Sequence, residues 1–159
     1  MGTNHHFSVT VEWAGNLGSG TADYREYSRN HEIGGTGKPV VPGSSAPAFR
    51  GDAARYNPEE LLIASLSACH MVWYLHLCAI NEVVVTAYSD SAAGELQLDA
   101  GGGGRFASVT LRPRVSIAPD CSRETAMRLH SEANRLCFIA NSVNFPVHHE
   151  AEIVSDMAT

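Results

Sequence analysis

NPEELLIASLSACHMVWYLHLCA, residues 57–79, is the stretch that decides how this chain folds. Asn57 is placed to accept from the amide of Glu60, Pro58 suits the first helical position, and the Asn-x-x-Glu spacing lets the glutamate reach back in a capping box. From Leu61 to Ala79 the only polar side chains are Ser65, Ser67, His70 and His76. No broad solvent-facing stripe remains, so the helix is expected to be covered on most sides. The histidines and serines inside the run, with Glu59 and Glu60 in the first turn, argue for a core helix rather than a membrane span.

A second helical pattern runs from about Ser122 to Cys137, where Ala126, Leu129, Ala133 and Leu136 recur at three-and-four spacing. Cys69 and Cys78 lie on the first helix, and Cys121 and Cys137 flank the second. The first two fall on opposite helix faces roughly 13 Å apart along the axis, and the second two are roughly 24 Å apart. Any cysteines that act together therefore come one from each helix. Cys69 with Cys137 joins the most buried candidate to the one at a helix C-terminus.

The chain has 159 residues, 44% of them apolar, which suits a single domain over residues 1–159 with its own core. Its net charge is −6 and its Lys and Arg are scattered, so the basic footprint of a nucleic-acid binder is missing. The opening MGTNHHFSVTVEW passes directly into an alternating pattern without a leader-like apolar segment, and a cytoplasmic protein is expected. In that compartment a working disulfide would be transient. No CxxC or HExxH occurs, and His76, His130 and the His148-His149 pair lack metal spacing, so neither a metal nor a cofactor is expected.

Phe7, Val9, Val11 and Trp13 alternate as a half-buried strand that closes at Ala14-Gly15-Asn16, and a second strand-like run reaches from Tyr24 to Ile33. Residues 34–52 are rich in Gly, Pro and Ser and read as a long surface loop with one extended piece near 39–42. Residues 82–88, 94–99, 106–117 and 145–154 read as further strands, Pro113 marking an edge or a bulge. The order of two strands, helix, three strands, helix and strand favours α+β over a doubly wound sheet.

Asn57-Pro58-Glu59-Glu60-Leu61 with Ser65-Leu66-Ser67-Ala68-Cys69-His70, followed after an amphipathic helix by Cys137-Phe138-Ile139-Ala140-Asn141-Ser142, resembles the OsmC/Ohr family of thiol-dependent peroxidases for organic hydroperoxides. The resemblance covers nearly the whole chain. It implies an α+β fold in which antiparallel sheets wrap around central helices in an intertwined homodimer. It also implies Cys69 as the peroxidatic and Cys137 as the resolving cysteine, with Glu59 as the family's glutamate. Arg29 matches the position of the family's arginine best, Arg25 and Arg50 being the other candidates. The implied substrate is an organic hydroperoxide and the implied reductant a lipoyl-type or thioredoxin-type dithiol. His70-Met71-Val72-Trp73-Tyr74 after the first cysteine, the longer loop before the helix and Phe-Ile-Ala after the second cysteine mark a divergent subgroup.

The chemistry asks for these residue types. A thiolate, not a thiol, attacks an O–O bond, and burial in an apolar helix disfavours the anion. Arg29 would stabilise it, because a guanidinium stays charged when partly desolvated, and Glu59 would hold the arginine. On one straight helix, however, Glu59 and Cys69 are separated by roughly 15 Å and about 80°. Either the helix breaks near Ser65 to Ser67, or Glu59 of one subunit serves Cys69 of the other; the dimer is the expectation. The rival reading is a non-catalytic protein of the same fold that binds an apolar small molecule or senses oxidants. Cys78 reads as a core residue, Cys121 as a helix-start bystander and His70 as a hydrogen-bonded core histidine. Leu66, Trp73, Phe138 and Phe145 read first as core packing, with the lining of an apolar substrate channel as the alternative.

Overall fold

The computed structural model describes residues 2–155, so the expectation of one domain over 1–159 runs past it at both ends. The chain divides inside its first helix into two compact units, Met1–Leu61 and Leu62–Thr159. That helix, α1 (Pro58–Ile80), runs without a break through Ser65 to Ser67. Its start is the reciprocal box read from the sequence. Asn57 Oδ1 accepts from the Glu60 amide at 2.8 Å and Glu60 Oε2 accepts from the Asn57 amide at 3.1 Å.

The first unit is an antiparallel sheet of β1 (Thr10–Trp13), β2 (His31–Gly34) and β3 (Val41–Gly43), with Val11 opposite Ile33 and Trp13 opposite His31. The strand expected from residue 24 starts only at His31 because residues 20–27 wind around one side chain instead. The Arg29 guanidinium donates to the carbonyls of Tyr27 at 2.7 Å and Tyr24 at 2.9 Å, and lies 4.1 and 4.5 Å from their ring centroids. Gly15 closes the connection, since a Cβ there would run into the Ser28 carbonyl. The expected half-burial of β1 is not met within the chain. All four of its residues are exposed, and Phe7 just before it is 95% exposed.

The second unit holds β4 (Val85–Asp90), β5 (Ala93–Leu98), β6 (Gly104–Leu111), β7 (Pro113–Ile117), α2 (Arg123–Leu136), β8 (Val147–His149) and β9 (Glu152–Ser155). They form sheets ordered β4-β7-β9 and β5-β6-β8, each an antiparallel pair extended by one parallel strand. The runs expected as single strands over 106–117 and 145–154 each break and pass from one sheet to the other. The breaks fall side by side. Asp90 Oδ1 accepts from the Arg112 amide at 2.7 Å, the Leu111 carbonyl accepts from the Glu150 amide at 2.9 Å, and the Arg112 guanidinium pairs with the Glu150 carboxylate at 3.0 Å. Pro113, which has no N–H to donate, follows directly.

α2 starts at Ser122, whose hydroxyl oxygen accepts from the Thr125 amide at 3.1 Å. Its Ala126, Leu129 and Ala133 pack with Tyr74, Leu77 and Cys78 of α1 and with Val115, Ile117 and Ile153 of the β4-β7-β9 sheet. Leu66 of α1 packs separately with Val109 and Leu111. The buried side chains of α1 are Leu66, His70, Tyr74, Leu77 and Cys78, all on one face. Ala64, Ala68, Val72, Leu75 and Ala79 on the opposite face are exposed. The expectation of a helix covered on most sides therefore fails within the chain, because two three-stranded sheets and one further helix shield only half of its circumference.

Candidate active site

Cys69 is half-buried at the border between the covered and the bare face of α1. α2 ends at Cys137, its C-terminal cap residue, which is 1% exposed. The two thiols are close enough for Cys69 to act on the Cys137 sulfur, and no disulfide joins them. A tight turn fixes the second sulfur. The Asn141 amide donates to the Cys137 carbonyl at 3.0 Å, the Asn141 side chain donates to the Arg135 carbonyl at 3.0 Å, and the Ala140 amide donates to Cys137 Sγ at 3.4 Å. Burial, followed by the Cys69 thiol beside it, pushes the Cys137 thiol up to about 11, against the pull of the Ala140 and Ile139 amides. Cys137 therefore carries its proton at neutral pH.

The other two expected site residues belong to the first unit. Among the described residues no ion pair joins Arg29 to Glu59. The guanidinium is held by the Tyr24 and Tyr27 carbonyls. Arg50 lies 5.7 Å from the Tyr24 ring centroid, and the Arg25 side chain is exposed. Glu60 is engaged in the helix cap, whereas Glu59 Oε2 is buried and has no hydrogen-bond partner. A buried carboxylate oxygen left without a donor is destabilising, and a cation brought to it would relieve that cost.

His70 is the hydrogen-bonded core histidine expected from the sequence, but the cluster of rings it joins was not foreseen. His70 Nε2 of α1 and His130 Nδ1 of α2 are 3.0 Å apart, with ring planes within 4° and centroids 5.3 Å apart. His149 of β8 lies 5.7 and 6.2 Å from the two rings, and Tyr74 stacks on His130 at 3.8 Å. Desolvation, with a smaller push from His149, holds His70 down to about 4; desolvation and the neighbouring histidines hold His130 down to about 3. All three rings are neutral at physiological pH, and among the described residues no three His, Cys, Asp or Glu converge as metal ligands. Helical register was the available signal. His70 shares a face with Leu66, Tyr74 and Leu77, and His130 follows Leu129 directly.

Known proteins share this fold. A family model described as OsmC-like protein matches residues 51–152. An OsmC-like protein of unknown function from Vibrio cholerae superposes with a TM-score of 0.84 at 30% identity, over 94% of this chain and 100% of that one. An organic hydroperoxide resistance protein from Elizabethkingia anophelis superposes at 0.68 with 17% identity, over 98% and 100% of the two chains. One from Bacillus subtilis gives 0.60 with 22% identity, over 93% and 98%. No curated protein matches the chain. With the family model covering most of the length and the Vibrio protein aligned from end to end, the chain belongs to the OsmC-like family.

Proposed function

We propose that the protein is a thiol peroxidase that reduces organic hydroperoxides, with Cys69 as the attacking sulfur and Cys137 as the resolving one. The observation that carries this reading is the meeting of two reduced thiols from different helices, one half-buried and one buried and protonated. The Cys69 thiolate attacks the terminal oxygen of R–O–OH, the O–O bond breaks, and RO⁻ leaves and takes a proton to become the alcohol. Cys69 is left as a sulfenic acid. The Cys137 sulfur displaces its hydroxyl, which departs as water with the thiol proton, and a disulfide forms. An external dithiol of lipoyl or thioredoxin type then restores both thiols and is itself oxidised to a disulfide.

The positive charge for the thiolate is assigned to Arg29 and the carboxylate that steadies it to Glu59, in a homodimer in the cytoplasm. Because α1 runs unbroken, the carboxylate serving Cys69 is Glu59 of the partner subunit, and the orphaned Glu59 Oε2 is an acceptor ready for a guanidinium. The test is consumption of cumene hydroperoxide with dithiothreitol present. Cys69→Ser should abolish turnover, whereas Cys137→Ser, mixed with the hydroperoxide in the absence of any dithiol, should still give one equivalent of alcohol per chain and a dimedone-reactive sulfenic acid. Unchanged turnover in Cys69→Ser would remove the reading in favour of a binding or sensing role.

A further inference from the structure

A cavity of about 370 Å³ is lined by Val72, Trp73, His76 and Phe138. Its position follows from the two helices. Trp73 stands one turn beyond Cys69 on the same side of α1, and Phe138 is the residue directly after Cys137. The two rings meet edge to face, centroids 5.5 Å apart and planes at 85°, and Trp73 meets His76 in the same way at 5.9 Å and 77°. The cavity is thus framed by two ring pairs whose faces and edges are already set at right angles. Phe138 is nevertheless 69% exposed and Val72 62% exposed, so within the chain the frame is unfilled on one side.

We propose that this cavity is an aryl-binding site and that Trp73 and Phe138 select aromatic hydroperoxides over small or straight-chain alkyl ones. A ring entering the cavity completes the edge-to-face pattern, since its edge meets the Phe138 or Trp73 face and its own face receives the other's edge. An alkyl chain of equal area gains the burial but not the quadrupole complementarity. The volume is at the small end of ligand sites, which fits a compact ring better than a long acyl chain. The lining carries no carboxylate, ammonium or guanidinium, so nothing there favours a charged organic group. A ring held one helical turn from Cys69 leaves the benzylic hydroperoxide to reach back towards the sulfur. The assignment of selectivity rests on the peroxidase reading; the binding of a ring does not.

The experiment separates the two. Saturation-transfer NMR measures binding of 2-phenyl-2-propanol, the alcohol left by cumene hydroperoxide, against tert-butanol, neither being an oxidant. The wild type should give a signal for the aryl alcohol only, and Phe138→Leu, which keeps an apolar side chain but removes the ring, should lose it. In turnover, Phe138→Leu should lower kcat/KM for cumene hydroperoxide about tenfold, with the effect in KM, and leave that for tert-butyl hydroperoxide within a factor of about two. No aryl signal in the wild type, or an equal one in Phe138→Leu, overturns the site. Aryl binding that Phe138→Leu removes, in a protein that consumes no hydroperoxide, upholds the aryl site and overturns the peroxidase and its selectivity. Equal losses for both hydroperoxides would make Phe138 a structural residue and overturn the selectivity.

Discussion

Cys137 shows how much one backbone turn decides at the scale of a residue. Its sulfur receives an amide hydrogen from Ala140 and is still pushed up to about 11, because the loss of water around a nearly inaccessible side chain, together with the Cys69 thiol beside it, outweighs the Ala140 and Ile139 amides. Cys78 is buried to the same degree and its thiol is likewise raised, chiefly by burial. Reactivity towards iodoacetamide follows the accessible thiolate. At neutral pH Cys69 should therefore be alkylated well before Cys137, with Cys78 unlabelled until the protein unfolds. Peptide mapping of a time course checks this; labelling of Cys137 as fast as Cys69 would contradict it. Helical rise and rotation eliminate the same-helix pairs and leave four cross-helix ones; the choice of Cys69 with Cys137 among them came from the family resemblance. The Ala140 contact was not legible in the sequence, since it depends on the 3₁₀ turn at Ala140–Ser142, which no periodicity announces.

At the scale of elements, α1 and α2 are joined by neutral histidines, and this makes the packing acid-sensitive. His70 and His130 have folded values near 4 and 3 against an ordinary 6.5, so below 6.5 the unfolded chain takes up protons that the folded one refuses. Stability is therefore present in full above pH 6.5 and falls as the pH drops, by about 1.4 kcal/mol per pH unit for each histidine until its own folded value is reached. Asp90 is the carboxylate that opposes the fall at His70, but its oxygens already accept from Ser67 and from the Arg112 amide. Replacing both rings together, His70→Leu with His130→Phe, avoids stranding one nitrogen and should flatten urea-derived stability between pH 6.5 and 4.5 relative to the wild type. An unchanged slope would show that the rings are already charged in the fold. The elements themselves were legible to different degrees. The cap of α1 is a local matter of residues three apart and was readable. The break at Arg112 was signalled only by Pro113, read as an edge or a bulge, and the one at Glu150 not at all, because alternating residues continue through both and only the pairing of two separate sheets tells the chain where to cross.

Across the whole molecule, each unit leaves apolar surface bare. In the first, Phe7, Val9, Val11 and Trp13 are 95%, 69%, 62% and 47% exposed; in the second, Leu75 and Ile80 of α1 are 36% and 64% exposed. Contiguous apolar patches are uncommon on monomers and mark surfaces that another molecule covers. A second copy is the occupant the proposed site calls for, because Glu59 on the same unbroken helix is about three turns from Cys69, and a neighbouring chain would bring its own Glu59 alongside. The protein should sediment at twice 17.0 kDa at micromolar concentration. Leu75→Glu, which sets a charge in the bare face of α1 away from both thiols, should shift it to the single-chain mass while far-UV circular dichroism stays the same. If the peroxidase needs the partner's Glu59, the same substitution should also lower hydroperoxide turnover at dilute enzyme and recover it as concentration rises. A wild type that sediments at 17.0 kDa, or a monomeric variant with full turnover, would mean that one chain completes its own site and that the bare helix face has another use.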